Sequence, residues 1–172
     1  MTDRRFATLI AISLLVVTVA SRLVPHPWNF TPMIAVALFA GARIERGWAA
    51  MLAVVGCLAL GDLAIGVFPY DGMIWVYAPM LAIALVGRLL VTRRSALATL
   101  VAALGAGLLF FVVSNFGVWL GTLYAHTPAG LADCYIAALP FYRNQIVGDL
   151  VFTGALFGLH AAAMNLRARA VA

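Results

Sequence analysis

A few polar side chains stand inside the long apolar runs of this chain, and their types could do chemistry. Asp62 and Asp149 are carboxylates inside two such runs, Asn115 is an amide inside a third, and Asn29 opens a fourth. Ionisable groups are expensive inside a membrane and are functional candidates there by default. Because all four residues fall toward the same side of the predicted bilayer, they predict a polar cavity open to the outside.

Aromatic residues in the predicted outer loops supply walls for such a cavity. Trp119 and Tyr135 are the two that we place in it, because a pocket for a ring-containing ligand combines aromatic walls with a few convergent polar groups. The alternative for Trp119, and for Trp75, is an interfacial aromatic belt. The predicted substrate-binding set is therefore Asn29, Asp62, Asn115, Trp119, Tyr135 and Asp149.

The two aspartates also have a purely structural interpretation. Either one could pair with Arg22 or Arg143, or form a hydrogen bond between helices. A proton relay through them would need a polar path inward. The sequence offers nothing polar below them, which argues against a relay.

Metal sites and enzyme motifs are not predicted. His26 has no companion at ligand spacing, and Cys57 and Asp62 stand five residues apart, so they do not share a helix face. The chain has no Walker loop, dinucleotide fingerprint, GxSxG or HExxH motif. We therefore predict no catalytic residue, no metal and no cofactor. A membrane enzyme acting on a lipid or quinone would need His126 or Asp149 as its base.

The composition places these residues in a membrane protein. Of 172 residues, 65% are hydrophobic and 10% are charged, whereas a soluble domain is about a quarter charged. The net charge of +5 comes from eleven arginines, which lie mainly between the apolar runs. That placement indicates membrane topology and excludes nucleic acid as a partner. The length fits a single transmembrane domain over residues 1–172.

Six apolar segments organise the chain, and several approach the roughly 20 residues that span a bilayer. Segments this apolar form helices, because the bilayer core offers no water to pair with backbone groups. The fold class is therefore all-α, with six transmembrane helices. The segments are Phe6–Ala20, Phe30–Ala42, Trp48–Phe68, Ile74–Leu90, Ala96–Trp119 and Ile146–Leu166.

The arginines support this count and orient it. With both termini in the cytoplasm, nine arginines lie inside, and only Arg22 and Arg143 lie outside, as the positive-inside rule requires. A rival interpretation takes the first segment, from Arg4 to Ala20, as a signal peptide, which would leave five helices.

The longest outer connection, residues 121–144, predicts one further helix. Thr127-Pro128 has the residue types of an N-cap followed by proline at the first helical position. Apolar residues then recur at helical spacing from Leu131 to Leu139, and Pro140 is expected to end the helix. We predict a short interfacial helix that caps the outer face between spans five and six.

Several short motifs resemble an uncharacterised family of small bacterial membrane proteins, described only as candidate transport proteins. The resemblance runs from about Arg22 to Phe157. It is carried by Asn29-Phe30-Thr31-Pro32, Leu38-Phe39-Ala40-Gly41-Ala42, Gly61-Asp62, Asn115-Phe116-Gly117-Val118-Trp119, Cys134-Tyr135, Leu139-Pro140-Phe141, Asn144 and Gly148-Asp149.

In size and six-helix plan, that family is similar to the substrate-binding S components of energy-coupling-factor transporters. The similarity implies a bacterial inner-membrane protein that binds a vitamin or a metal complex in an outward-facing pocket. It also implies a transmembrane coupling partner with ATPases, which would contact small residues such as Ala7 and Ala11 on the first helix. Cys57 or Cys134 would be candidate ligands for a cobalamin-type substrate.

Three functions therefore stand as hypotheses. The leading one is an S-component-like membrane subunit that binds a small molecule for uptake. The second is a non-transporting membrane scaffold or assembly factor, whose polar residues only hold helices together. The third is the lipid or quinone enzyme. Alanine at Asp62 and at Asn115 separates the first two, because only a binding subunit would lose a ligand while it stays folded.

Overall fold

The chain is all-helical in a computed structural model, which describes residues 3–91 and 95–171, and the side chains of residues 12–91 and 95–169. Each of the six apolar segments lies in a helix. The bounds are close to the predicted ones except in the last helix, which begins at Pro128 and not at Ile146. The helices are α1 (Asp3–Leu23), α2 (Met33–Arg43), α3 (Gly47–Ala64), α4 (Ile74–Leu90), α5 (Ala96–Trp119) and α6 (Pro128–Val171).

Among the residues whose side chains the structure describes, three helices are long and apolar enough to cross a membrane: Gly47–Ala64, Ala96–Trp119 and the stretch Pro128–Arg169. The 11 residues of α2 rise only about 16 Å, roughly half of a 30 Å hydrocarbon core. The helices therefore suggest a membrane protein, as the composition predicts, and α2 is too short to span the core alone.

The short α2 is the centre of the bundle. Its residues Met33–Gly41 are all buried, and α2 contacts each of the other five helices. It packs most closely against α4, because a Cβ atom at Gly41 would overlap the Ala84 carbonyl and one at Gly87 would overlap the Leu38 carbonyl. Small residues let two apolar helices approach backbone to backbone, where dispersion forces between them are strongest.

Arginine side chains gather at one end of the bundle, which we call the arginine-rich end. Arg88 donates to the carbonyls of Ile44 (3.3 Å) and Glu45 (2.9 Å), and Arg43 donates to that of Val91 (3.4 Å). These bonds close the α2–α3 connection over the end of α4.

Aromatic rings gather at the opposite end, which we call the aromatic end. Trp28 packs edge-on against Phe141, with 6.4 Å between ring centroids, and Trp75 packs against Phe116 at 5.7 Å. The two ends therefore differ in chemistry, as the loops of the sequence predict.

The predicted interfacial helix is wrong as a separate element. Thr127 does cap a helix, since its hydroxyl accepts from the backbone N–H of Gly130 at 3.1 Å, but that helix continues through Pro140 to Val171. The Phe111 ring of α5 packs against both Tyr135 and Tyr142, at 5.6 and 4.3 Å between centroids. These contacts on either side of Pro140 hold the two parts of α6 on one partner helix, so the hydrogen bond lost at the proline is tolerated.

Candidate functional site

Asp62 lies in a buried ion pair that joins three helices. Its carboxylate is 1% exposed, and it accepts from Arg22 Nη2 of α1 at 2.9 Å and from the Tyr77 hydroxyl of α4 at 2.9 Å. Asp62 therefore pairs with Arg22, one of the two arginines that the sequence offers as its partner, and its role in binding a ligand stays a prediction. In the loop beside this pair, burial and the Asp62 carboxylate raise the pKa of Tyr70 above its ordinary value, so Tyr70 stays neutral.

Asp149 has a different environment, between α5 and α6. It is 2% exposed, and the Gln145 side chain donates to it at 3.4 Å while donating to the Gly107 carbonyl at 2.9 Å. Gly107 makes room for the carboxylate, because a Cβ atom there would stand 2.6 Å from Asp149 Oδ2. An amide, rather than a guanidinium, therefore contacts this buried carboxylate.

Asn115, Trp119 and Tyr135 form backbone contacts near the aromatic end. The Asn115 amide donates to the Phe111 carbonyl at 2.8 Å and the Trp119 indole donates to the Ala125 carbonyl at 3.0 Å. The Tyr135 hydroxyl donates to the Val112 carbonyl at 2.7 Å. The Trp119 bond joins α5 to the turn that follows it and the Tyr135 bond joins α5 to the first part of α6, whereas the Asn115 bond lies within α5.

Asn29 lies in the exposed loop between α1 and α2. Its backbone adopts φ of 61°, in the left-handed region that asparagine tolerates better than most residues. The six predicted site residues thus fall into three separate contact groups and one exposed turn. Whether they bind a ligand stays a prediction, and the structure gives each of the buried ones a partner within the protein.

A cavity of about 730 Å³ lies between α2, α5 and α6, on the arginine-rich side of Asp149. We call it the α2–α5–α6 cavity. Arg43 of α2 lines it together with Ala96 and Thr99 from the first turn of α5. Thr153, Phe157 and His160 line it from one stripe of α6.

Thr153 lies between the Asp149 carboxylate and this cavity along α6. It follows Asp149 by four residues, which places both on one face of α6 about one turn apart. Its side chain is 4% exposed, and within the part of the chain that the structure describes its hydroxyl has no hydrogen-bond partner. The prediction that nothing polar follows Asp149 inward is therefore wrong at Thr153.

The sequence carried a weak signal for this stripe. Gln145, Asp149, Thr153 and Phe157 recur at a spacing of four, which puts them on one helix face. The cavity itself depends on which helices are neighbours, and an isolated sequence does not give that adjacency.

The contact face for a coupling partner and the two cysteines are the remaining sequence-based expectations. Ala7 and Ala11 lie outside the described side chains, so the proposed contact face on α1 stays a prediction. Cys57 and Cys134 are both buried and unpaired by disulfide. Among the residues whose side chains are described, no three of His, Cys, Asp or Glu come together as a metal site would require.

The architecture is all-helical, with three helices long and apolar enough among the described residues to suggest a membrane protein, and with a cavity between α2, α5 and α6. The chain belongs to a family of unknown function (DUF6580), whose model matches residues 2–171. No curated protein and no solved structure matches the chain. The predicted membership of an uncharacterised family is therefore confirmed. The similarity to S components stays a prediction.

Proposed function

We propose that this chain is a small-molecule-binding membrane subunit that serves uptake, with the α2–α5–α6 cavity as its binding site. The observation that carries the proposal is the cavity itself. Its volume of about 730 Å³ falls within the range of sites for vitamin-sized ligands, roughly 300–1,000 Å³. Three helices wall it, and a buried hydroxyl at Thr153 faces no partner among the described residues.

The orientation follows from the arginines. The positive-inside rule assigns the arginine-rich end to the cytoplasm of a bacterial inner membrane, with both termini on that side. On that assignment we place the opening of the cavity on the cytoplasmic side. The outer half of the bundle carries the Asp62–Arg22–Tyr77 contacts and the bonds of Trp119 and Tyr135.

Uptake then requires the outer end to open. Several polar contacts at this end join different helices, such as Asp62 with Arg22 and Tyr135 with Val112, and these can separate and hydrate when a solute enters. The outward-facing pocket predicted from the sequence would be the open form of this end, with Asp62 and Asn115 released from their present partners. Energy would come from a transmembrane coupling partner, as in S-component systems.

A non-transporting scaffold is the second candidate, and one observation favours it. Asp62 has two strong partners, so its role is accounted for by helix packing alone. A scaffold would not need the cavity to be accessible to a solute, and this difference separates the two candidates.

Native mass spectrometry of the protein purified from its own host tests the proposal. A Cβ atom at Gly158, which lines the cavity, meets nothing within 4 Å, so leucine there fills space without a clash. Gly105 of α5 also has open space and does not line the cavity, which makes Gly105→Leu the matched control.

We expect a co-purifying small molecule on the wild-type protein and on Gly105→Leu, and its loss on Gly158→Leu. Absence of any bound molecule, with co-purified proteins in its place, would favour the scaffold. A bound molecule that Gly158→Leu retains would place the binding site elsewhere.

A further inference from the structure

The lining of the α2–α5–α6 cavity is divided by chemistry along its length. Toward the arginine-rich end it carries Arg43, His160 and Asn165, together with the first turn of α5. Toward the middle of the bundle it is apolar, with Leu100, Ala103 and Leu150, and Thr153 lies beside them. None of the described residues that line it is acidic.

Arg43 is held in place at the polar end. Its Nη1 donates to the carbonyls of Ala42 (3.2 Å) and Val91 (3.4 Å), and its guanidinium lies 5.0 Å from the centre of the Phe157 ring. Phe157 in turn packs against Phe39 at 5.0 Å between centroids. The guanidinium is permanently charged, and its planar fork matches a carboxylate or a phosphate.

The start of α5 adds a second source of positive potential. Ala96 lines the cavity, and Ser95 caps the helix by accepting from the Ala98 N–H at 3.3 Å. The first N–H groups of a helix have no partner within it, and the aligned peptide dipoles of this 24-residue helix favour an anion beside them.

The far end of the cavity supplies an independent observation, the buried Thr153 hydroxyl without a described partner. From Thr153 to Asn165 the axis of α6 rises about 18 Å. Between these ends the cavity walls are apolar, so a ligand that fills it has one charged end and an apolar body whose inner end lies near Thr153.

We propose that the α2–α5–α6 cavity binds an amphipathic anion, with its carboxylate or phosphate between Arg43 and the start of α5 and its apolar body directed toward Thr153. This assignment rests on the proposed binding function and names its substrate class. Two sources offer that chemistry, a free organic anion and the headgroup of an acidic lipid.

Three dodecyl probes with one apolar body test the assignment. The protein is placed in phosphatidylcholine nanodiscs and offered dodecyl phosphate, dodecanol or dodecylamine, and retained ligand is read by native mass spectrometry. We expect at least tenfold more retention of the phosphate than of the other two. Arg43→Gln should remove this preference, and Arg43→Lys should keep part of it.

A parallel sample in nanodiscs that contain phosphatidylglycerol distinguishes the sources. Retained phosphatidylglycerol that is lost on Gly158→Leu, but kept on Gly105→Leu, would identify a lipid as the anion. Retention of dodecyl phosphate without retained phosphatidylglycerol would identify a free organic anion.

Two results would overturn the assignment, and they are distinguishable. Equal retention of all three probes, abolished by Gly158→Leu, would leave the cavity as a binding site but refute its preference for anions. Retention of no probe and no lipid would refute the binding function as well. Because the probe comparison is made on the wild-type protein, misfolding of an Arg43 variant does not decide the outcome.

Discussion

The two buried aspartates have different electrostatic environments. Asp62 neutralises Arg22 at 2.9 Å and also accepts from Tyr77, whereas Asp149 is contacted by the amide of Gln145. Removing one member of a buried ion pair leaves the other charge without compensation. A buried carboxylate that faces an amide loses much less when it is replaced by a neutral group of the same shape.

Asparagine substitutions should therefore separate the two sites. Asp62→Asn is expected to lower the free energy of unfolding by about 2–4 kcal/mol. This is somewhat less than the loss for a fully buried ion pair, because the Arg22 side chain is partly exposed. Asp149→Asn should change it by less than about 1 kcal/mol. Thermal unfolding in mild detergent measures both. Equal losses at the two positions would contradict this distinction.

Thr153 gives a second prediction at the residue scale. A buried hydroxyl without a partner is destabilising, so Thr153→Val should leave the melting temperature unchanged or raise it by the equivalent of up to about 1 kcal/mol. Thr18→Val on α1 is not a suitable control, because Cys57 contacts the Thr18 side chain. Thr99→Val in the first turn of α5 is the better control, because its hydroxyl has a partner, the Ser95 carbonyl at 2.9 Å. A clear drop in stability at Thr153 would show that its hydroxyl is already satisfied.

At the scale of the elements, close packing of α2 on α4 depends on two glycines. Gly41→Val and Gly87→Val should each destabilise the fold by about 3 kcal/mol or prevent folding, since the added carbons would meet backbone atoms that cannot move aside. Gly56→Val is the control, because a Cβ atom there meets nothing within 4 Å. Unfolding midpoints in detergent give the comparison, and equal midpoints for all three variants would refute this packing.

The first part of α6 offers a test of whether it packs against α5 or lies on the membrane surface. Ala138 is buried and its neighbour Ala137 is exposed. Ala138→Gln should lower the free energy of unfolding by about 2–3 kcal/mol, because it buries an amide without a partner. Ala137→Gln should change it by less than about 0.5 kcal/mol. Similar small effects at both positions would support the interfacial helix that the sequence predicted.

The outcome for the elements shows what the sequence can decide. Apolar length predicted all six helices, with α4 and α5 at the bounds observed, because burial in lipid leaves helix as the way to satisfy the backbone. Pro140 was misjudged for a related reason. In water a mid-helix proline usually ends a helix, but here Tyr135 and Tyr142 pack on Phe111 across it and hold both sides in line.

For the whole molecule, the composition predicted a membrane protein. It did not predict which helices lie next to one another. The sequence placed Asp62, Asn115 and Asp149 near one another in depth, which is a statement about position along each helix. The structure assigns Asp62 to the α1–α3–α4 side and Asp149 to the α5–α6 side. Which helices are neighbours decides where a cavity forms, and hydropathy is silent on that choice.

The cavity at the arginine-rich end is the central claim, and site-directed cysteine labelling tests it most directly. Ala161 lines the cavity, whereas Leu159 is 70% exposed on another face of α6. The native cysteines are buried, so the unmodified protein gives the background. A membrane-impermeant maleimide would be applied to oriented vesicles from each side in turn.

We predict that Ala161→Cys reacts from the cytoplasmic side, and that prior incubation with the co-purifying ligand or with dodecyl phosphate protects it. Leu159→Cys should show no such protection. Labelling of Ala161→Cys from the outer side, or labelling that neither ligand slows, would contradict an inward-opening binding cavity.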